Sequence, residues 1–213
     1  MAVGLADGST VHIGNGLATA KNITAITNAN PPVATCTGHG LTTGDFVVIQ
    51  SGWSLTNERC VKVETVDANS FKILGVDARD AQKYPAATGV GSFRKVTGFT
   101  EITQILSVSF SGGEQQYATF GFLNEDFERQ IPTTVSAMSA TYSIADDPNL
   151  PGYKAAKAAS ETGGTMPKRI DLKNGGQIVY NGYPSLNEVP TLEKGNVMAV
   201  SLSYALAAKP VRY

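Results

Sequence analysis

Cysteine, charge and long apolar runs are all scarce in this sequence. Only two cysteines, Cys36 and Cys60, occur in 213 residues, with no Cys-x-x-Cys spacing. That pattern argues against a disulfide-stapled scaffold and against a thiolate metal site. Both cysteines are expected to be reduced core residues; a cross-strand disulfide between them is allowed but not required. No apolar run approaches the ~20 residues that span a bilayer, so no membrane anchor is expected. Residues Met1 to Gly8 lack the basic stretch and apolar core of a secretory leader, and the expectation is assembly in a cytoplasm. Charged residues make up only 16% of the chain, as expected where surface is lost to assembly. At this length a sizeable core forms without disulfides.

Signatures of chemistry are missing as well. There is no Gly-x-Ser-x-Gly elbow, no Gly-x-x-x-x-Gly-Lys loop and no His-Glu-x-x-His helix, and Gly14-Asn15-Gly16 lacks the rest of a dinucleotide fingerprint. His12 and His39 stand in separate segments with no second ligand at metal spacing. No catalytic residue, cofactor or metal is expected. Asp146-Asp147, ahead of a helical stretch, reads as a cap rather than a catalytic pair.

What the chain does have is an unusual strand design. Counting in twos, the period of a pleated strand, Leu106, Val108 and Phe110 alternate with Ile105, Ser107 and Ser109. Ala118, Phe120 and Phe122 alternate with Tyr117, Thr119 and Gly121. Met138, Ala140, Tyr142 and Ile144 alternate with Ala137, Ser139, Thr141 and Ser143, and Met198, Val200, Leu202 and Tyr204 with Ala199, Ser201, Ser203 and Ala205. One-sided antiparallel sheets usually put Lys, Glu and Arg on the wet face. Here that face is Ser, Thr and Ala, and it is expected to meet a neighbouring subunit or a confined lumen.

Charge is sorted along the chain. Residues 98–150 hold seven acids and one base, for a net of −6; residues 151–213 hold four acids and eight bases, for a net of +4; residues 1–97 net +1. Opposite charge on consecutive segments suits a head-to-tail contact between identical copies.

The texture changes between Asn22 and about Gly98. Short strands through Phe46 to Gln50, Cys60 to Val66 and Phe71 to Leu74, separated by Gly, Thr, Asp and Asn turns, predict a small β-barrel. Its final part, Asp80 to Gly91, is expected to loop back to the start, and Trp53 either to staple one end, the favoured reading, or to touch a partner. Outside it, Pro151 to Glu161 predicts one helix, with Tyr153, Ala156 and Ala159 or Ser160 facing inward and Gly163-Gly164 closing it. Ile170 to Leu172, the Asn174-Gly175 turn and Gln177 to Tyr183 predict a hairpin. The fold class is mainly β (α+β): a sandwich or barrel of antiparallel strands with one flanking helix, plus an inserted small β-barrel. The expected domains are 1–21 with 98–213, and the insert 22–97.

The insert, with ITAITNANPPVATCTGHGLTTGDFVVI and its His39-Gly40-Leu41 ahead of Gly44-Asp45, resembles a module that recurs in phage tail proteins. The remainder resembles a phage tail tube protein of the long-tailed, non-contractile type. The residues that carry this are ADGSTVHIGNGLATAKNITAIT, the acidic hairpin tip Leu123 to Pro132, the lone helix and the closing NGYPSLNEVPTLEKGNVMAVSLSYAL. The resemblance implies homohexameric rings that stack into a tube, with four strands per copy completing an inner barrel. About 24 strands spaced ~4.8 Å and tilted ~40° give a backbone diameter of about 48 Å, and a bore of roughly 38 Å once side chains are subtracted. Double-stranded DNA would fit such a bore, and the resemblance implies that it passes through without specific binding. Tail terminator, tape measure and tail-tip proteins are the implied partners.

On this reading the candidate inter-subunit or inter-ring loop is Asn124, Glu125, Asp126, Phe127, Glu128 and Arg129. The acids Glu101, Glu114, Glu125 and Asp126 are expected at the lumen or an interface, and Lys168, Arg169 and Lys173 as interface bases. The alternative is a minor tail or tail-tip β-protein that uses the inserted barrel to touch a receptor or carbohydrate.

Overall fold

The computed structural model describes residues 7–213; Met1 to Ala6, on which part of the leader expectation falls, lie outside them. The chain opens with β1 (Thr10–Gly14), followed by β2 (Lys21–Ile23), β3 (Ala25–Ile26), β4 (Val33–Thr35), β5 (Phe46–Ser51), β6 (Arg59–Asp67), β7 (Ser70–Ile73) and β8 (Gly91–Lys95). Next come β9 (Phe99–Ile102), β10 (Ile105–Ser111), β11 (Gln115–Phe120), β12 (Arg129–Val135) and β13 (Ser139–Ala145). Helix α1 (Pro151–Thr162) precedes β14 (Met166–Asp171), β15 (Gln177–Thr191), β16 (Ala199–Leu206) and β17 (Val211–Arg212).

The larger sheet has the order β10-β13-β16-β15-β14-β1-β9, with β17 added to β15, and every pair is antiparallel. It curls around a core of Ile13, Tyr142, Ile144, Tyr180, Leu202 and Tyr204, all almost fully buried. Helix α1 closes this core with Tyr153, Ala156 and Ala159, the inward stripe expected from the sequence. Gly163 ends it in the left-handed region at φ 65°, donating its N–H to Ser160 O. The cap differs from expectation. Leu150 holds the N-cap position without a side-chain bond, and Asp147 instead closes a turn one step earlier by accepting the Asn149 N–H.

Gly152 lets α1 sit directly on β9. A Cβ there would fall 2.5 Å from Glu101 O and 2.7 Å from Ile102 Cα, so Gly152→Ala is expected to cost about 1–3 kcal/mol as the helix lifts away. A thermal melt followed by circular dichroism reads this as a loss of about 2–4 °C per kcal/mol.

Seven strands in the order β2-β8-β5-β6-β7-β4-β3 form the smaller sheet. Its two end strands, β2 and β3, are consecutive on either side of Thr24, whose N–H donates to Thr35 O. The sheet therefore closes into the small barrel that the strand and turn pattern predicts. Val47, Ile49, Val61, Phe71 and Ile73 fill it. His39 is buried in its wall as a structural residue, accepting the Leu41 N–H at Nδ1 and meeting Asp67 O at Nε2. Trp53 staples one end through Nε1–H to Pro85 O (2.8 Å) and an edge-to-face contact with Tyr84. Asn28 ties the start of the segment to its final part by donating to Ala78 O and Tyr84 O. Cys36 and Cys60 are both buried and free.

The two sheets are packed together through a third cluster of Phe46, Val48, Cys60, Val96 and Val179. Tyr213 bridges them, its hydroxyl accepting the Lys62 N–H and donating to Leu74 O.

One grouping of strands differs from expectation. Of the four runs with a shared design, those in β10, β13 and β16 lie side by side, but β11 does not join them. It pairs with β12, which begins at Arg129 and so takes in the end of the stretch Leu123 to Pro132 expected as a hairpin tip. Both faces of this ribbon are exposed, so alternation along β11 carried no information about which sheet would bury it.

Candidate functional site

The fourth neighbour of β10, β13 and β16 is β15. Strand register sorts the side chains of these four strands into two faces. Val108, Tyr142, Leu202 and Leu186 share the core face, while Ser109, Thr141, Ser203 and Ser185 form one continuous row on the other. The rows above and below continue with Ser107, Ser143, Ser201 and Asn187, and with Ser111, Ser139, Ala205 and Tyr183. Ser111 and Ser139 hydroxyls bond across the strands at 2.7 Å. This face carries no charged side chain. It offers a hydroxyl-rich wall with no cation for a phosphate to pair with.

Among the described residues, both lateral edges of the wall lack a strand partner. β10 is the end strand of the sheet. At the other side, β14 pairs with β15 only as far as Gly182, so the β15 segment beyond it has β16 alone as a strand partner. Pro184 sits there because its missing N–H faces no neighbour, and the Leu186 N–H is met by Ser160 Oγ of α1. An edge without a strand partner on each side, the β15 one touched by α1 at Leu186, invites β-pairing with another copy.

The ribbon β11–β12 continues the β10–β13 ladder beyond a Gly112-Gly113 turn, where both glycines have φ near +80°. An added Cβ at Gly112 would strike Ala137 O. All six candidate loop residues, Asn124, Glu125, Asp126, Phe127, Glu128 and Arg129, are exposed at its tip. Arg129, the first residue of β12, folds back onto Glu125 (3.1 Å).

Of the candidate acids, Glu114 is exposed at the base of this ribbon and Glu125 and Asp126 at its tip; Glu101 is exposed on β9 at the opposite end of the sheet. None lies on the hydroxyl wall. Among the candidate bases, Lys173 is exposed next to the Asn174-Gly175 turn, and Arg169 is held within the subunit. Its guanidinium bonds Asp171 at 2.9–3.0 Å and lies 4.7 Å from the Phe99 ring centre. Asp171 also meets His12 Nε2 at 3.2 Å and accepts from Gln177. Burial, then the Arg169 charge, holds the His12 pKa below the usual histidine value. This cluster is internally satisfied.

Lys168 requires a correction. It is not an interface base, because its side chain is fully buried and its Nζ has no hydrogen-bond partner among the described residues. The Nζ stands 3.3 Å from the centre of the Tyr142 ring and 4.5 Å from that of Tyr204, with Tyr142 and Tyr180 joined hydroxyl to hydroxyl nearby. Burial drives its pKa well below the ordinary lysine value. The signal was there to read: on β14, alternation puts Lys168 on the same face as Met166 and Ile170.

A neutral wall with two open lateral edges and a projecting ribbon defines a self-assembling structural β-protein. The sequence gives the particular class: the family model described as phage tail tube protein, TTP, matches residues 51–213, and the chain belongs to that family. It is a structural subunit of the tail tube of a phage virion. Similar solved structures include the tail of an empty gene transfer agent particle refined with C6 symmetry, at 11% identity over 54% of this chain and 86% of that one, with a TM-score of 0.43. The virion of a native gene transfer agent particle is similar at 10% identity over 54% and 88%, with a TM-score of 0.43. The tube-terminating cap of the anti-feeding prophage is similar at 16% identity over 49% and 78%, with a TM-score of 0.36. No curated protein matches the chain.

Proposed function

We propose that six copies close into a ring in which β10, β13, β16 and the far half of β15 of each copy form one continuous barrel, with the hydroxyl wall lining its bore. The observation that carries this reading is the uncharged four-strand face, bounded by an unpaired edge on each side. A bore lined this way conducts DNA by giving phosphates no cation to bind, and the subunit works without catalysis. Residues 1–21 with 98–213 act as the tube domain, and 22–97 as a barrel packed against its outer side. The exposed β11–β12 tip, with Asn124 to Arg129, serves as the arm between subunits or rings. Exposed Glu101, Glu114 and Lys173 remain candidates for subunit contacts. Stacked rings then meet a terminator, a tape measure and a tip at the ends of the tube.

Chemical access tests the lining. A Ser203→Cys thiol in assembled tubes is expected to react with a small maleimide, but not with one carried on a particle wider than the ~38 Å bore. Equal reaction with both would put this face on the outside.

A further inference from the structure

The two edges of the wall are not equally open. Main-chain N–H groups that face one edge of an antiparallel strand recur at every second residue. On the far half of β15 the Leu186 N–H faces outward, away from β16, so positions 184, 186 and 188 are the ones that could offer a donor to an incoming strand. Each is blunted in a different way. Pro184 has no N–H, the Leu186 N–H already donates to Ser160 Oγ of α1 at 3.0 Å, and the Glu188 carboxylate is tied to Lys157 of the same helix at 2.7 Å. Proline, charge and a covering helix are the means by which proteins stop a sheet edge from pairing. The β10 edge has none of them. From Ile105 to Ser111 it carries no proline and no charge, and among the described residues no side chain hydrogen-bonds its main chain.

From this asymmetry we infer that α1 guards assembly: Ser160 and Lys157 cap the β15 edge of the free subunit, and the Leu186 N–H passes from Ser160 Oγ to a β10 carbonyl of the next copy as the ring closes. The inference rests on the tube reading above and adds the contact that holds free subunits back. Only two side chains have to turn away. Tyr153, Ala156 and Ala159 keep α1 seated in the core, whereas Ser160 reaches the edge from the last turn of the helix and Lys157 and Glu188 are close to half exposed. An aligned copy offers Leu186 a carbonyl in place of the hydroxyl, so the exchange keeps one bond for one bond. A misaligned encounter finds no free donor. Chance pairing is thereby slowed while the finished seam loses nothing.

Ser160→Ala tests this without harming the helix, since alanine is the better helix former. In dispersed subunits the Leu186 amide should exchange its hydrogen about five- to tenfold faster than in wild type, the weight of one hydrogen bond. Light scattering should show Ser160→Ala assembling after a shorter lag and from a concentration about five- to tenfold lower, because the lost bond raises the free energy of the free subunit alone. Lys157→Gln should act in the same direction by about twofold, as an exposed ion pair allows. Ser160→Thr, which keeps the hydroxyl, should match wild type. Equal Leu186 exchange in Ser160→Ala and wild type, or assembly of Ser160→Ala at the wild-type concentration or above it, would overturn the guard and leave the tube reading standing. Assembly of neither protein at any concentration would overturn both.

Discussion

Replacing Lys168 by methionine should make the subunit more stable, by about 2 kcal/mol, seen as a rise of about 4–8 °C in melting temperature. The wild-type core holds a primary amine with no hydrogen-bond partner among the described residues, beside the rings of Tyr142 and Tyr204. The aromatic faces attract an ammonium, by about 2 kcal/mol when it is desolvated, but taking that charge out of water costs several kcal/mol. Desolvation wins, which is why the pKa falls. Methionine fills a similar volume without either charge or donor. Between the depressed folded pKa and the ordinary value of ~10.4, the unfolded chain binds one proton more than the folded one. Wild-type stability therefore rises with pH over that window, and the advantage of Lys168→Met narrows. Above pH ~10 the stability of both proteins falls as pH rises, because Tyr142 and Tyr204, whose pKa values burial raises, keep protons that the unfolded chain releases. A destabilised Lys168→Met protein would mean that the ring contacts outweigh burial.

The second large effect is expected from charge on the wall. Ser203→Lys places one ammonium per copy at the centre of the exposed hydroxyl face, so a closed ring gains a belt of positive charge around its bore. Subunits should fold and assemble as before, since the side chain points away from the core. DNA delivery by particles carrying the variant should drop by on the order of tenfold or more and recover partly as salt is raised, because phosphate contacts weaken steeply with ionic strength. Ser203→Thr, which keeps the hydroxyl, should be silent. Delivery unaffected by the lysine would place this face away from the DNA.

The two strands that set the wall were legible because both ends of the alternation are strong: Ala140, Tyr142 and Ile144 against Ser139, Thr141 and Ser143, and Val200, Leu202 and Tyr204 against Ser201 and Ser203. β15 was legible only to Tyr183. Pro184 reads as a strand breaker, and only the structure shows that β15 has lost its β14 partner at that point, so a missing N–H does no harm. β11 misled for the opposite reason, since a free ribbon tolerates alternation that buries nothing. The small barrel was visible in its turns, whereas its packing on the larger sheet depends on Tyr213 and Val179, which are distant in sequence from the strands they touch. Net charge by segment hid Lys168 because a sum cannot say which way a side chain points.

The most direct test of the whole account is negative-stain electron microscopy of the pure protein across a range of concentrations. The account predicts sixfold rings with an open centre that lengthen into tubes as concentration rises. A strictly monomeric protein at every concentration, its serine and threonine face open to water, would contradict it.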